Sequence, residues 1–314
     1  MVQKGKGCYY NTKLLQKSPT VEEKPPVPEE NSTTERRGDL VWKESITKED
    51  KEKKMTNTEV LNNRKADICV YYKTVGKLQL PLQVFLPDNF DKSKKYKTIV
   101  AIHGGGWSSL KETPVDWNGG WMANNARYYA QKGYVGIVFS YRDLKFESNC
   151  DVGDLLCDCY DAMQYIANHF SFVDRENVLL MGDSAGGHLA LCLCMCLPYG
   201  KKPPIEVTGI AAYNPVTDCV CDKWSYCAHD SIKYSPQHNI KRIDAKILVM
   251  HGTADTTVSI EDSRLFTNKM KQAGNNISMI EIPDAEHAFI LFGYMAEEKE
   301  VIRALELTDE YFNL

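Results

Sequence analysis

The chain has 314 residues, 43% of them hydrophobic and 25% charged, which suits one large α/β domain with a tail or two small domains. A net charge of −4 gives no electrostatic reason for a nucleic acid or an anionic membrane surface as partner. No apolar run reaches the length that spans a bilayer.

In chain order, residues 1–65 come first and are rich in Lys, Glu, Pro, Ser, Thr and Asn. The opening "MVQKGKGCYYNTKLLQ" is basic but has no apolar core, so it does not read as a secretory signal. "SPTVEEKPPVPEENSTTERRG" has little to bury and is predicted to be disordered. "KEDKEKKMTNTEVLNNRK" offers a charged helix without an apolar stripe, a marginal element in isolation. The expected organisation is a polar leader over 1–65 and a folded domain over 66–314.

From Ala66 the texture changes. "ICVYYKT" and "LQLPLQVFLP" read as a strand pair turning near Gly76. Six further apolar runs follow: "TIVAI", "YVGIVFSY", "NVLLMG", "VTGIAAY", "KILVMH" and "ISMIEI". Helical stretches are predicted over 121–132, 154–170, 184–197, 262–273 and 295–311. Leu156, Tyr160, Met163, Ala167 and Phe170 recur at three- and four-residue steps, the stripe of an amphipathic helix. Runs apolar throughout suit strands covered on both faces, and the alternation with helices predicts a doubly wound α/β domain with a mostly parallel sheet of about eight strands. In such sheets ligands gather beyond the carboxyl ends of the strands.

Those ends carry the informative residues. "GDSAGGH" follows "NVLLM" and opens into "LALCLCMCL", which places G-x-S-x-G between a strand and a helix and presents Ser184 at a sharp turn. A serine at an ordinary N-cap is the plain alternative. "HGTADTTV" puts Asp255 past the next-to-last strand, and "PDAEHAF" puts His287 past the last. The order Ser, Asp, His is that of α/β-hydrolases. A serine hydroxyl needs a base to become a nucleophile, His287 would supply it, and Asp255 would orient the imidazole. Glu261 and Asp262 lie further from the strand end, and Glu286 abuts the histidine too closely to orient its ring. "HGGG", past the third strand, leaves backbone N–H groups open to a substrate oxygen, with the N–H of Ala185 as a second source.

Together "HGGGW", "GDSAGGH", "HGTADTTV", "AEHAF", "FSYRDL" and "YNPVTD" resemble the α/β-hydrolase esterases of the hormone-sensitive-lipase-like group. Within that group the chain is most similar to the acetyl- and feruloyl-esterase-like branch known as BD-FAE. The resemblance covers roughly residues 67–312. It implies Ser184 as nucleophile, Asp255 and His287 as its partners, and Gly105, Gly106 and Ala185 as oxyanion donors. Larger members carry an N-terminal helical cap, for which this leader is too polar, so an open cleft is expected.

The implied function is a serine carboxylesterase acting on small or medium acyl esters, acetyl or feruloyl esters of carbohydrate among them. Amide hydrolysis by a peptidase or a kynurenine-formamidase-like enzyme is the alternative, since the same triad serves both. A non-catalytic binding protein is the third reading, although such proteins typically lose the Ser or the His. Trp107, Trp117, Trp121 and Trp224 are candidate substrate-lining residues, with packing the better reading for Trp107. Trp224, Tyr226 and Tyr234 lie in a segment that can wall the cleft. Asp183, His103, His188, His251 and Arg142 read as structural.

No metal or organic cofactor is expected. The eleven cysteines include no C-x-x-C pair and read as buried small hydrophobes of a reducing cytosol. Were the protein exported after loss of a leader, two of Cys219, Cys221 and Cys227 could pair.

Overall fold

The computed structural model describes residues 55–108, 120–144 and 150–314. Eight strands are present: β1 (Ile68–Val75), β2 (Leu78–Phe85), β3 (Tyr96–Ile102), β4 (Val135–Phe139), β5 (Val173–Asp183), β6 (Val207–Tyr213), β7 (Lys246–Gly252) and β8 (Ile277–Ile282). The helices are α1 (Asn57–Asn63), α2 (Ala123–Gln131), α3 (Val152–His169), α4 (Ala185–Cys194), α5 (Ile260–Gln272) and α6 (Glu298–Phe312). Each apolar run of the sequence is a strand. The five predicted helices are α2 to α6, with ends displaced by a few residues.

The strands form one sheet in the order β1-β2-β4-β3-β5-β6-β7-β8. β2 is antiparallel to β1 and to β4, and every pairing from β4 to β8 is parallel. Successive side chains of a strand face opposite sides of the sheet, so a run apolar at every position feeds two cores. Val100 and Ile102 of β3, Leu180 of β5 and Val249 of β7 enter one core with α3, α4 and Phe266 of α5. Ile99, Ala101, Leu179, Met181 and Leu248 enter the other, with α2, Leu61 of α1 and Leu305 of α6. In α3 the stripe Leu156, Tyr160, Met163, Ala167 and Phe170 is buried, as its spacing predicts. Asp151 caps the helix in a capping box with Asp154.

The expected boundary at residue 66 falls after α1, which packs on the domain. The Glu298 carboxylate accepts from Thr58 N (2.9 Å), Thr58 Oγ1 (2.7 Å) and Asn57 N (3.2 Å), and Asn62 Oδ1 accepts from Asn124 Nδ2 (2.7 Å). A seven-residue helix is too short to persist alone, and here it persists by burying Leu61 and borrowing Glu298 as an acceptor at its N-terminus.

β4 and β5 flank β3 on opposite sides, so the chain direction across the sheet reverses at β3. Ile102 of β3 pairs with Gly182 of β5, and Asp183 pairs with Tyr213 of β6. The loops leaving β3 and β5 therefore start side by side at the switch point, where open α/β sheets place their ligand sites.

Candidate active site

Ser184 stands between β5 and α4 with φ 52° and ψ −117°. A non-glycine residue at positive φ is strained, by an amount on the order of 1–3 kcal/mol. Surrounding backbone holds it there. Its N–H donates to Tyr213 O at 2.9 Å. A Cβ at Gly182 would lie 2.4 Å from the Gly186 carbonyl group, and one at Gly186 would lie 2.1 Å from Ile102 O. β3, β5 and the first turn of α4 thus meet at distances only hydrogen atoms permit. Although Ser184 precedes a helix, its hydroxyl makes no capping bond. Its Oγ lies 3.0 Å from His287 Nε2 instead, which removes the N-cap explanation.

His287 Nδ1 lies 2.7 Å from Asp255 Oδ2. Carboxylate oxygens accept, so Nδ1 carries the proton and Nε2 is left to accept from the Ser184 hydroxyl. The Asp255 side chain is fully buried and saturated with donors. Oδ1 accepts from Thr257 N (2.8 Å) and Val258 N (2.9 Å), while Oδ2 faces His287 Nδ1 and, at 3.1 Å, His251 Nε2. Burial pushes this carboxyl up, but the hydrogen bonds from His251, His287 and the backbone outweigh it and hold the group well below the usual carboxylate range.

Asn214, at the end of β6, ties the serine turn to the histidine loop. It is buried, at φ 37°, and its N–H donates to Met250 O at 2.7 Å. Its Oδ1 accepts from Ala288 N at 3.1 Å, and its Nδ2 donates to Asp183 Oδ1 at 3.4 Å. Burial pushes the Asp183 carboxyl up to about 6, against the lowering influence of His287 and of the Asn214 amide.

The glycine loop lies over the same point. A Cβ at Gly104 would meet Asp183 O at 2.6 Å and Ser184 Cβ at 3.1 Å, so the loop rests directly on the Ser184 turn. Gly105, Gly106 and Trp107 follow with φ of 91°, 64° and 57°. Three successive left-handed residues reverse the backbone, which glycine allows at little cost at the first two positions. Tyr141 donates its hydroxyl to His103 O (2.7 Å), and His103 stacks on its ring at 4.3 Å. His103 Nδ1 donates to Gly104 O at 2.9 Å. Trp107 Nε1 donates to His188 Nδ1 (3.1 Å), whose Nε2 donates to Tyr234 O (2.7 Å). Burial lowers both His103 and His188 to about 4, so each is neutral at pH 7, as the Trp107 bond to His188 Nδ1 requires of the latter.

The structure therefore brings Ser184, Asp255, His287, Ala185 and the Gly105–Gly106 turn to one place. The aromatic residues fare differently. Trp107 is fully buried among His188, Trp224 and Tyr226, which favours the packing reading preferred for it over a substrate contact. Trp224 is nearly buried and borders a hollow of about 450 Å³ with Asp255, Thr256 and Lys223. Trp121 is 37% exposed and packs edge-on against Tyr294. Trp117 lies outside the described residues. Tyr226 is 58% exposed beside the glycine loop, its hydroxyl 3.7 Å from where a Gly106 Cβ would stand.

Arg142 is structural, bound to Asp158 and Asp154. Cys219, Cys221 and Cys227 are all free thiols. Two contributions escaped the sequence: His251, read as structural, reaches the Asp255 carboxylate, and Asn214 was not singled out. The "HG" directly after the apolar core of β7, with His251 four positions before Asp255, was the available sign for the first.

An eight-stranded, mostly parallel sheet with a sharp turn at Ser184 after β5 and a glycine loop after β3 defines an α/β hydrolase of the esterase-like class. Residues 82–199 match the BD-FAE family, and residues 211–313 match the prolyl oligopeptidase family. Among solved structures, the chain is similar to esterase 2 of Thermogutta terrifontis, with 28% identity, a TM-score of 0.67, and coverage of 78% of this chain and 93% of that one. Among curated proteins it is similar to an acetylxylan esterase of Xylanibacter ruminicola, 24% identical over 68% of this chain and 44% of that protein. It is also 24% identical to a probable dipeptidyl-peptidase 5 of Aspergillus terreus, over 70% of this chain and 32% of that protein. The chain spans about a third to under half the length of these curated relatives. No helix among the described residues is long and apolar enough to cross a membrane.

Proposed function

We propose that this protein is a serine carboxylic-ester hydrolase acting on small or medium acyl esters, with acetyl or feruloyl esters of carbohydrate as the favoured class. The observation that carries the reading is the unbroken chain from Ser184 Oγ through His287 to Asp255, at 3.0 and 2.7 Å, with the serine hydroxyl free of capping duty. His287 takes the proton of Ser184 as Oγ attacks the ester carbonyl, then delivers it to the leaving alkoxide. Asp255 keeps the ring in the required tautomer and stabilises the imidazolium. The N–H groups of Gly105, Gly106 and Ala185 receive the negative oxygen, a role in which a single lost donor costs about 3–4 kcal/mol. Water then repeats the sequence on the acyl-enzyme. Structures of the Thermogutta esterase carry propionate and butyrate, and the Xylanibacter relative is an acetylxylan esterase, which supports short acyl groups.

Amide hydrolysis is the second reading, favoured by the prolyl oligopeptidase match over 211–313 and by the dipeptidyl-peptidase relatives. The deciding assay is a panel of esters graded by acyl length, run beside acetylated xylan, an arylamide and N-formylkynurenine. Turnover of short-chain esters and of acetylxylan is expected, with none by Ser184→Ala. Cleavage of the arylamide alone would replace the esterase reading, and an active Ser184→Ala protein would remove the triad.

A further inference from the structure

The triad does not end at Asp255. His251, the penultimate residue of β7, is fully buried, and both its ring nitrogens are engaged. Nε2 lies 3.1 Å from Val258 O and 3.1 Å from Asp255 Oδ2. Neither of those oxygens can donate, so Nε2 carries the proton, which bonds Val258 O and lies within ion-pair distance of Asp255 Oδ2. Nδ1 lies 2.8 Å from Ser263 Oγ, on α5. With the Nε2 proton directed at oxygen acceptors, the Ser263 hydroxyl is placed to donate to Nδ1. A continuous line of contacts thus runs Ser263, His251, Asp255, His287, Ser184, with a histidine ring nitrogen at 3.1 Å and at 2.7 Å from Asp255 Oδ2 on either side.

We propose that His251 is a positioning residue of the active site. Its Nε2 proton fixes the plane of the Asp255 carboxylate and draws off part of the charge on Oδ2, and Ser263 fixes its tautomer. This rests on the reading of Ser184, Asp255 and His287 as a triad. Two donors on one oxygen compete, so the N–H of His251 weakens the hold of Oδ2 on His287 and keeps the base from being trapped as imidazolium. It also prevents the carboxylate from rotating, since Oδ1 is fixed by Thr257 N and Val258 N and Oδ2 by the two rings. The other ionisable groups facing His251 are Asp262 of α5, beside Asp218, and Glu281 of β8, which is paired with Arg264. Asp183 faces His287. None of these four carboxyl groups bonds His251 among the described contacts, so Asp255 is its one carboxylate partner there.

The test compares His251→Leu, which removes the donor, with His251→Gln, whose amide can place an N–H near the Nε2 position. In the Leu variant kcat is expected to fall about tenfold or more with KM little changed, the scale typical when a partner that orients a catalytic ligand is lost. The acidic limb of kcat/KM against pH is expected to move to higher pH, because Oδ2 then binds the imidazolium more strongly. The downfield proton resonance of the His287–Asp255 bond should move further downfield. Gln should restore most of kcat and return the limb.

Loss of activity with an unmoved or downward-shifted limb would mean a merely structural histidine and overturn the proposal, as would wild-type kinetics. Should the Leu variant fail to fold, Ser263→Ala decides. It preserves a good helix former at that position while freeing Nδ1, and is expected to lower kcat several-fold with the same upward shift. Unchanged kinetics there would also overturn the proposal. Ser184→Ala run in parallel separates the failures: an active Ser184→Ala protein sinks the triad and this proposal together, whereas an inactive one beside a wild-type-like His251→Leu sinks the proposal alone.

Discussion

Trp107 Nε1 donates to Nδ1 of His188 across 3.1 Å, joining the glycine loop after β3 to the helix that begins at Ala185. Both residues are buried, so neither can exchange this bond for water. In Trp107→Phe the indole volume shrinks and the buried Nδ1 loses its donor. Losses of about 1–3 kcal/mol for the unsatisfied nitrogen, with a smaller packing term, predict a clear drop in the urea midpoint. Activity at low temperature should drop as well, because the loop that carries Gly105 and Gly106 loses its anchor. A variant with wild-type midpoint and turnover would show that the bond anchors nothing.

Acid should destabilise the fold below neutrality. His103 and His188 are lowered to about 4 in the folded protein, so between their ordinary value near 6.5 and that point the unfolded chain binds protons that the folded one refuses. Stability from these two groups is present above pH 6.5 and is lost as the pH falls. Asp183 has the opposite sign: raised to about 6, its contribution is present at acid pH and lost as pH rises through 6. Two histidines against one carboxyl leave a net slope on the order of 1 kcal/mol per pH unit across the shared window. Urea midpoints measured from pH 7 to pH 5 should therefore fall, and fall more steeply in Asp183→Asn. Parallel lines for the two proteins would contradict the assignment.

Asn214 performs two tasks that substitution can separate. Its φ of 37° is strained for alanine and relaxed for glycine, whereas both substitutions lose the bonds to Ala288 and Asp183. Asn214→Ala should be destabilised more than Asn214→Gly, while both lose about tenfold in kcat, the effect of roughly one hydrogen bond's free energy at the histidine loop. If Asn214→Gly kept full activity, the side chain would have no part in holding His287.

Away from the site, Asp158 of α3 is fully buried between Lys73 Nζ (2.6 Å) and Arg142 Nε (2.8 Å). Removing one partner of a buried ion pair typically costs about 3–5 kcal/mol. Here Lys73 and Arg142 keep some solvent exposure and second carboxylates in Asp161 and Asp154, which reduces the penalty. Asp158→Asn should cost about 2–3 kcal/mol by denaturant unfolding and leave KM unchanged.

The sheet was legible because six strands contain a short apolar run and β1 and β2 form a β-rich pair around a glycine turn, and Ser184, Asp255 and His287 were legible because each follows such a run. α1 was not. Its stability comes from Leu61 and from Glu298, 240 residues away from Thr58, and no local window contains that pairing. Trp107 was ambiguous, since an aromatic beside a glycine loop serves a cleft or a core equally well until its indole partner is seen. His251 failed to stand out for a related reason: its partners Asp255 and Ser263 are near in sequence, but only the turn at 255–258 aims them at the same ring.

The contacts of Gly182 and Gly186 with the backbone around them carry a consequence for descent. Those two positions are emptied of side chains so that β3, β5 and α4 can touch, a need that would persist whether or not any ester were ever cleaved. A descendant that abandoned catalysis would still have to keep both glycines to fold. The spelling around position 184 is therefore a signature of architecture, whereas the proposed reaction would rest on three side chains, Ser184, Asp255 and His287.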